Sequence, residues 1–592
     1  MGPSRGLAVF AYPQRAMRLP TPPQSVISST LVLNFPYANL PAACQSCAAV
    51  TIASVATAGV VAPAQATTAG PKNVIYMIGD GMGYNHIAST NLYESGQSKY
   101  LVEGKFDGEV KEIDGESVQA FEDFNRVSMT TFPEGGSYDP AKAWTDHDYV
   151  KQDKVTDSAA AGTAMATGQK VDNGVLGKSS YGHSLKNISE QAISHGKSAG
   201  VVSSVPFSHA TPAAFAAHNK NRNNYKEIAA EMVGSDLSVI MGAGHPEFDD
   251  NAQKVDAPNY KYISEESFKS LRDGSAGWEF AENTADFEKW AEGNVEADKK
   301  YFGLAPVAST LQQGRDGNPE AAEPGTDPKN DVVDLPTMTK GALNVLGQND
   351  KGFSVMIEGG AIDWSGHANQ TGRDIEETQD FNKAVDAAIA WVEENSSWDE
   401  TLLIVTADHE TGYLSGKDET ESWNPQTGEE GKAPQHQWYS GEHTNQVVPF
   451  FFKGAGSEDI LAKATGEDPV RGKYIDNTDV ANLIIQDWWF ANDSKPENQN
   501  KPEDQNKPED QDNAGKTPED DANKDDSKDE GKDNSKDDSN KGNAGKKDTS
   551  SATGAGFLGA GVAAAILGAI AAFLQSIGAV KVDFSALQRL LP

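Results

Sequence analysis

An apolar run that ends in glycines, NVIYMIGDGMG at residues 73–83, constrains the fold more than any other stretch of the chain. Residues 74–78 are uninterrupted apolar residues, which is typical of a strand buried on both faces of a parallel sheet. Open α/β sheets bind ligands at the carboxyl ends of such strands, and Asp80 lies at that end between two glycines. The alternative is that Asp80 only caps a helix beginning near Tyr84.

Similar apolar runs recur along the chain and alternate with helical patterns. Strands are predicted at 200–205, 237–241, 353–357, 402–405 and 447–452, and helices from Ser158 onward and at 374–392 and 480–489. Residues 250–331 are polar and interrupted, and we expect irregular insertions there. The alternation predicts an α/β fold with a doubly wound, mostly parallel central sheet and helices on both faces.

The first 66 residues are predicted to be a presequence. Residues 48–61 are small and apolar, and Ala64-Gln65-Ala66 is typical of the cleavage site of a secretory signal peptide. The positive flank is poor, so the true start codon stays open, as does a weak lipoprotein site at Cys44. Because Cys44 and Cys47 are the two cysteines of the chain, the mature protein would have no disulfide.

The other end of the chain divides into two parts after a catalytic domain predicted at 67–492. Residues 493–553 are rich in Lys, Asp and Pro and poor in apolar side chains, which predicts a disordered acidic linker. Within 554–592, residues 556–580 carry no charge and are long enough to span a bilayer. We therefore expect an exported protein at the extracytoplasmic cell surface, anchored in the membrane by a C-terminal transmembrane helix.

Acidic and histidine residues follow the predicted strands or lie in glycine-rich turns. They are Asp80, Glu358, Asp363, His367, Asp408, His409 and His443. Asp363 and His367 are four residues apart and can reach one ion whether the turn is helical or looped. Such pairs beside a strand-end Asp predict a metal centre rather than unrelated caps and core histidines.

Ser158 precedes an alanine-rich segment that is predicted to be helical. At a helix N-terminus the free N–H groups and the helix dipole favour an anion. The alternative is that Ser158 is only the N-cap of this helix. A second strand-to-helix turn carries His209 and Thr211, with Pro212 in the first helical turn.

These motifs, in their order along the chain, resemble those of the alkaline phosphatase family. They are IGDGMG at 78–83, TDSA at 156–159, HATP at 209–212, EGGAID at 358–363 with His367, TADH at 406–409, and His443-Thr444. The resemblance covers about residues 72–490. It implies an alkaline-phosphatase-like fold, hydrolysis of phosphate monoesters at alkaline pH through a phosphoserine intermediate, and often a homodimer.

The resemblance also implies three metal ions and the roles of individual residues. One Zn²⁺ would be held by Asp363, His367 and His443; a second by Asp80, Asp408, His409 and the Ser158 oxygen; and one Mg²⁺ by Asp80, Thr211 and Glu358. Ser158 would be the nucleophile, and Arg222 would bind two phosphate oxygens. Zinc prefers mixed nitrogen and oxygen ligands, whereas magnesium prefers oxygen ligands alone. The three implied ligand sets agree with these preferences.

Two positions depart from the best-studied enterobacterial member, which has Asp at the position of His209 and Lys at that of Trp364. A ring nitrogen of His209 near the third ion would favour Zn²⁺ or Co²⁺ over Mg²⁺. His209 is therefore a further candidate metal ligand, and metal preference at the third site stays open.

Competing functions are a phosphodiesterase of the same superfamily and a non-catalytic surface-binding protein on this scaffold. The sequence contains no C/S-x-P-x-R sulfatase motif. Related diesterases often use a Thr nucleophile and lack the full magnesium set, whereas Ser158, Thr211 and Glu358 are all present. The formal net charge of −37 argues against nucleic-acid recognition. A phosphomonoesterase is the favoured prediction.

Overall fold

The computed structural model of the protein describes residues 70–152 and 154–490. The predicted signal peptide, the acidic linker and the C-terminal anchor lie outside these residues, so those three remain predictions. Among the described helices, none combines the length and the apolar character that crossing a bilayer requires.

The described residues form eighteen strands and thirteen α-helices, numbered in chain order. The strands are β1 Asn73–Gly79, β2 Val102–Lys105, β3 Val110–Glu112, β4 Asn125–Thr130, β5 Ser198–Pro206, β6 Val239–Ala243, β7 Glu279–Ala281, β8 Tyr301–Leu304, β9 Phe353–Gly359, β10 Thr401–Thr406, β11 Glu410–Thr411, β12 Leu414–Ser415, β13 Ser422–Trp423, β14 Gln437–Trp438, β15 His443–Thr444, β16 Val448–Gly454, β17 Gly466–Asp468 and β18 Gly472–Asp476. The helices are α1 Tyr84–Ser95, α2 Lys142–Thr145, α3 Ser158–Thr167, α4 Ile188–Ser194, α5 Ala210–Ala214, α6 Tyr225–Val233, α7 Glu265–Arg272, α8 Thr284–Ala291, α9 Leu335–Leu346, α10 Ala361–His367, α11 Thr371–Asn395, α12 Ser457–Lys463 and α13 Asp479–Asn482.

Eleven of the strands form one sheet, in the order β17-β18-β4-β16-β10-β1-β9-β5-β6-β8-β7. From β10 to β7 every neighbouring pair is parallel, and β16 runs antiparallel between β10 and β4. At the end of β1, Ile78 lies opposite Thr406 of β10 and Glu358 of β9. The prediction of a mostly parallel sheet organised around the first strand is confirmed.

Both faces of this sheet are covered at its centre. Every residue of β1, β9 and β10 is buried, and successive side chains of a strand point to opposite faces. Helix α11 packs on these three strands through a buried apolar stripe that includes Ile375, Phe381 and Val385. The helix predicted at 374–392 is thereby confirmed, and packing of its apolar stripe on the sheet produces the α/β layering.

The prediction for residues 250–331 is wrong. Instead of irregular insertions only, this segment supplies helices α7 and α8 and the two edge strands β7 and β8 of the main sheet. These strands are three and four residues long, too short for a periodic pattern to be recognised. Their pairing beside β6 depends on contacts distant in sequence, which a local pattern does not record.

Candidate active site

Three neighbouring parallel strands carry acidic side chains at their carboxyl ends. Asp80 directly follows β1, Asp408 lies two residues after β10, and Glu358 is the penultimate residue of β9. Because the strands are adjacent and in register, the sheet itself brings these carboxylates to one edge. At most 1% of each residue is exposed, so the three carboxyl groups face one another away from bulk solvent.

Asp80, Asp408 and His409 form a group of candidate metal ligands, here called the inner cluster. Nε2 of His409 lies 3.4 Å from Asp80 Oδ1 and 3.2 Å from Asp408 Oδ2. Both oxygens are buried and make no hydrogen bond to any described residue. The hydroxyl Oγ of Ser158 lies 3.1 Å from the same nitrogen, so the serine borders the inner cluster.

Asp363, His367 and His443 form a second group, the outer cluster. Asp363 and His367 lie one turn apart on α10, and His443 comes from β15, which pairs with β11 next to His409. Asp363 Oδ1 is 3.4 Å from Nε2 of His367 and 3.3 Å from Nε2 of His443, and the two nitrogens are 3.1 Å apart. The His367 side chain is 36% exposed, so this cluster reaches solvent.

The hydrogen bonds of the outer histidines determine which ring nitrogen faces the cluster. Nδ1 of His367 lies 2.7 Å from the carbonyl oxygen of Gly441, and Nδ1 of His443 lies 2.8 Å from that of Thr156. A carbonyl oxygen only accepts, so Nδ1 donates, and in the neutral ring each Nε2 offers a lone pair. Ligands of a tetrahedral zinc ion lie about 3.3 to 3.4 Å apart at bond lengths of about 2.0 to 2.1 Å. The outer cluster is close to that spacing.

Thr411 connects the two clusters. Its hydroxyl donates to Asp363 Oδ1 at 2.5 Å, and the Thr411 hydroxyl oxygen also lies 3.2 Å from Nδ1 of His409. Since the hydroxyl hydrogen points to Asp363, Nδ1 of His409 is the donor to Thr411, and its Nε2 offers a lone pair to the inner cluster. Sequence reasoning missed Thr411, although its position two residues after His409 in an extended segment places both on one side.

The residues predicted for the third metal ion lie beside the inner cluster. Thr211 donates a hydrogen bond to Asp80 Oδ2 at 3.1 Å. Glu358 accepts a hydrogen bond from Ser203, its register partner on β5, which sequence reasoning also missed. Oε1 of Glu358 and Nδ1 of His209 are buried without a hydrogen-bond partner among the described residues. Both atoms are available for a cation, and ligation by them stays a prediction.

Ser158 is the first residue of α3, and the N-cap is Asp157, whose carboxylate accepts a hydrogen bond from the amide of Ala160 at 2.9 Å. The alternative reading of Ser158 as the N-cap is therefore wrong, and its hydroxyl is left for His409. Arg222 donates to the other oxygen of Asp157 at 3.0 Å, so the cap also holds the guanidinium. Asp80 does not cap α1, because Gly83 occupies that N-cap.

The family model described as alkaline phosphatase matches residues 71–448 of the chain. This chain belongs to the alkaline phosphatase family. The prediction drawn from the sequence motifs is thereby confirmed.

Two curated relatives agree with this membership. Alkaline phosphatase 4 of Bacillus subtilis is 31% identical over 361 residues, which cover 60% of this chain and 64% of that protein. Alkaline phosphatase of Escherichia coli is 28% identical over 369 residues, 57% of this chain and 70% of that protein. The solved structure of alkaline phosphatase from the Antarctic bacterium TAB5 covers 71% of this chain and 100% of its own, at 25% identity and a TM-score of 0.48. The chain thus spans just under two thirds of the Bacillus relative.

The electrostatics of this site favour bound cations. Burial, together with neighbouring carboxylates of which Asp408 acts most strongly, raises the pKa of Asp80 well above its usual value. Burial also raises the pKa of Glu358 to about 7. Burial and the charge of Arg222 lower the pKa of His209 to about 3, so its ring is neutral. Unpaired buried carboxylates beside imidazole lone pairs fit the metal ions that the family implies.

Proposed function

We propose that this chain is a metal-dependent phosphomonoesterase that hydrolyses phosphate monoesters to an alcohol and inorganic phosphate at alkaline pH. The observation that carries the proposal is the position of Ser158. Its hydroxyl begins helix α3, 3.1 Å from the ring nitrogen of His409 and next to the cap that holds Arg222. Membership of the alkaline phosphatase family supports the same conclusion.

In this proposal Ser158 attacks the phosphorus atom of the ester. The bond from phosphorus to the alcohol oxygen breaks and the phosphoryl group is transferred to the serine oxygen, which gives up its proton, while the leaving oxygen takes up a proton and departs as the alcohol. The guanidinium of Arg222 and the free amides at the start of α3 bind the phosphate oxygens. Water then hydrolyses the phosphoserine and regenerates the Ser158 hydroxyl.

The metal ligands are proposed as the sequence resemblance implies them. The outer cluster would hold one Zn²⁺, the inner cluster with Ser158 a second, and Asp80, Thr211 and Glu358 one Mg²⁺, with Co²⁺ or Zn²⁺ as substitutes because of His209. When bound, these ions stabilise negative charge on oxygen and lower the pKa of the serine hydroxyl and of water.

The test is Ser158→Ala in the full-length protein, with 4-nitrophenyl phosphate as substrate and acid quenching to trap the phosphorylated peptide. We expect a loss of at least about a thousandfold in rate and no trapped phosphopeptide. Ser457→Ala is the matched control, since Ser457 also begins a helix but lies outside the site. A Ser158→Ala enzyme within about tenfold of wild type contradicts the proposal. Equal turnover of bis(4-nitrophenyl) phosphate favours a diesterase.

We also propose that the protein is exported and anchored at the extracytoplasmic surface by residues 556–580. The absence of charge in this segment supports the proposal. Fractionation of cells that express the full chain should place it with membranes, whereas residues 67–492 alone should remain soluble. Intact chain free in the medium contradicts the anchor. The homodimer that the family resemblance suggests is tested by light scattering on the soluble form.

A further inference from the structure

A group of aromatic rings surrounds His209 at one side of the site. The Tyr225 ring stacks on His209 with ring centroids 6.0 Å apart and an interplanar angle of 14°. Trp364 contacts His209 edge to face at 5.6 Å, and Tyr262 contacts Tyr225 in the same way at 5.0 Å. His209 is 9% exposed, whereas Tyr225 and Trp364 are partly exposed, so the group leads from the buried site to solvent.

Lys261 lies on the outside of this group. Its Nζ donates to the Tyr262 hydroxyl at 2.8 Å and lies 4.5 Å and 6.0 Å from the ring centroids of Tyr262 and Tyr225. Ser208, the neighbour of His209, donates a hydrogen bond to the carbonyl oxygen of Tyr262 at 2.7 Å. This bond ties the segment that carries the lysine to the turn that carries His209.

The charge of Lys261 is exposed and has no carboxylate partner within ion-pairing distance among the described residues. Its side-chain nitrogen contacts the Tyr262 hydroxyl and the rings of Tyr262 and Tyr225, which leave the cation free to bind an anion. Lys254, in the same segment between β6 and α7, instead pairs with Glu247 at 3.6 Å. An unpaired cation beside a strongly acidic site is unexpected for a chain of net charge −37.

We propose that Lys261, Tyr225 and Trp364 form a subsite that selects phosphate monoesters whose alcohol is a planar ring with a second negative charge. This proposal rests on the proposed phosphomonoesterase function. The His209 ring and the Lys261 Nζ both lie 6.0 Å from the Tyr225 ring centroid. Because His209 is buried and Lys261 is exposed, the ammonium group lies at the solvent end of this aromatic group, where it would meet the alcohol part of a bound ester. The rings supply a flat apolar wall, and the ammonium group supplies charge specificity.

The charge is tested by comparing kcat/KM for 4-carboxyphenyl phosphate and phenyl phosphate in the metal-loaded full-length protein. Lys261→Ala should lower the value for the carboxylated substrate about fivefold, which is the effect of one partly exposed ion pair. The value for phenyl phosphate should change by less than about twofold. Lys261→Arg should retain the preference, high salt should weaken it in wild type, and Lys254→Ala should change neither substrate.

The rings are tested by Tyr225→Leu. We expect KM to rise for both aryl phosphates and to stay unchanged for glycerol phosphate, whose alcohol has no ring.

Three results overturn the subsite. Lys261→Ala without effect shows that the charge is not used, and equal losses for the two aryl substrates show that Lys261 acts on the phosphate or on folding. If Tyr225→Leu changes KM for glycerol phosphate as much as for the aryl phosphates, the Tyr225 ring does not recognise the ring of the alcohol. A wild-type protein that hydrolyses neither phenyl phosphate nor glycerol phosphate is a different result, because it contradicts the proposed function itself.

Discussion

The inner and outer clusters each contain three candidate ligands but are built on different structural supports. The inner ligands Asp80, Asp408 and His409 are at most 1% exposed and follow adjacent strands whose register the central sheet fixes. The outer ligands Asp363 and His367 lie on one turn of α10 beside a two-residue strand, and His367 is 36% exposed. A cation in the inner cluster should therefore bind tightly and exchange slowly, whereas one in the outer cluster should exchange with solvent.

The largest expected effect is the difference in activity between a substitution in the inner cluster and one in the outer cluster. His409→Ala should reduce phosphatase activity by at least about a thousandfold, and added zinc should not restore it, because the ligand lost is buried next to Ser158. His367→Ala should cost less, on the order of tenfold to a hundredfold, with partial recovery in excess zinc because the position is open. Rates measured with and without added zinc check both values.

His183→Ala is the control for these substitutions, since His183 is exposed and lies outside both clusters. If His367→Ala is as inactive as His409→Ala at every zinc concentration, the two clusters do not differ in the way their burial indicates.

The next effect tests the connection between the clusters. Thr411→Val removes the hydroxyl that contacts Asp363 and His409 while keeping the size of the side chain. We expect zinc affinity at both clusters to fall by about tenfold to a hundredfold, as is usual when a group that orients metal ligands is lost. Thr411→Ser should retain both affinities. Competition with a chromogenic chelator measures them, and a loss confined to one cluster would break the proposed connection.

The smallest effect is a pH dependence of the metal-free protein. The folded state raises the pKa of Glu358 to about 7 from its usual 4.5, so between these values it holds a proton that the unfolded chain has lost. The free energy of unfolding contributed by this group therefore falls as pH rises through that window. Asp80 acts in the same direction.

Bound cations keep these carboxylates ionised, so the Tm of the zinc-loaded protein should not show this decline. The Tm difference between loaded and metal-free protein should widen from about pH 5 to about pH 7. In metal-free Glu358→Gln the decline should be smaller. Calorimetry checks this, and a Tm difference that stays constant or narrows across the window would refute the electrostatic account of Asp80 and Glu358.

The strands that carry the inner cluster were predictable because their signals are local. Residues 74–78 and 402–405 are unbroken apolar runs, and a candidate ligand, Asp80 or Asp408, follows each within about three residues. An apolar run of this kind reports burial on both faces, and the position just after it reports the edge where ligands bind. Family membership was predictable for the same reason, since its motifs lie at these strand ends.

The remaining features depend on contacts that a local pattern does not contain. The edge strands β7 and β8 are too short to show a period, and β4 and β18 pair although far apart in sequence. Asp157 rather than Ser158 caps α3, and choosing between adjacent Asp and Ser requires the hydrogen bond itself. Thr411 and Lys261 acquire their partners only when separate segments meet.

Zinc stoichiometry measured by mass spectrometry tests the central claim, that two separate clusters each bind one cation beside Ser158. Metal-free full-length protein is reloaded with zinc and compared with His409→Ala and His443→Ala, one variant for each cluster. We expect each variant to lose one bound equivalent, and the ion kept by His443→Ala to be the one that exchanges slowly with a labelled zinc isotope. Variants that both retain the wild-type zinc content would contradict it.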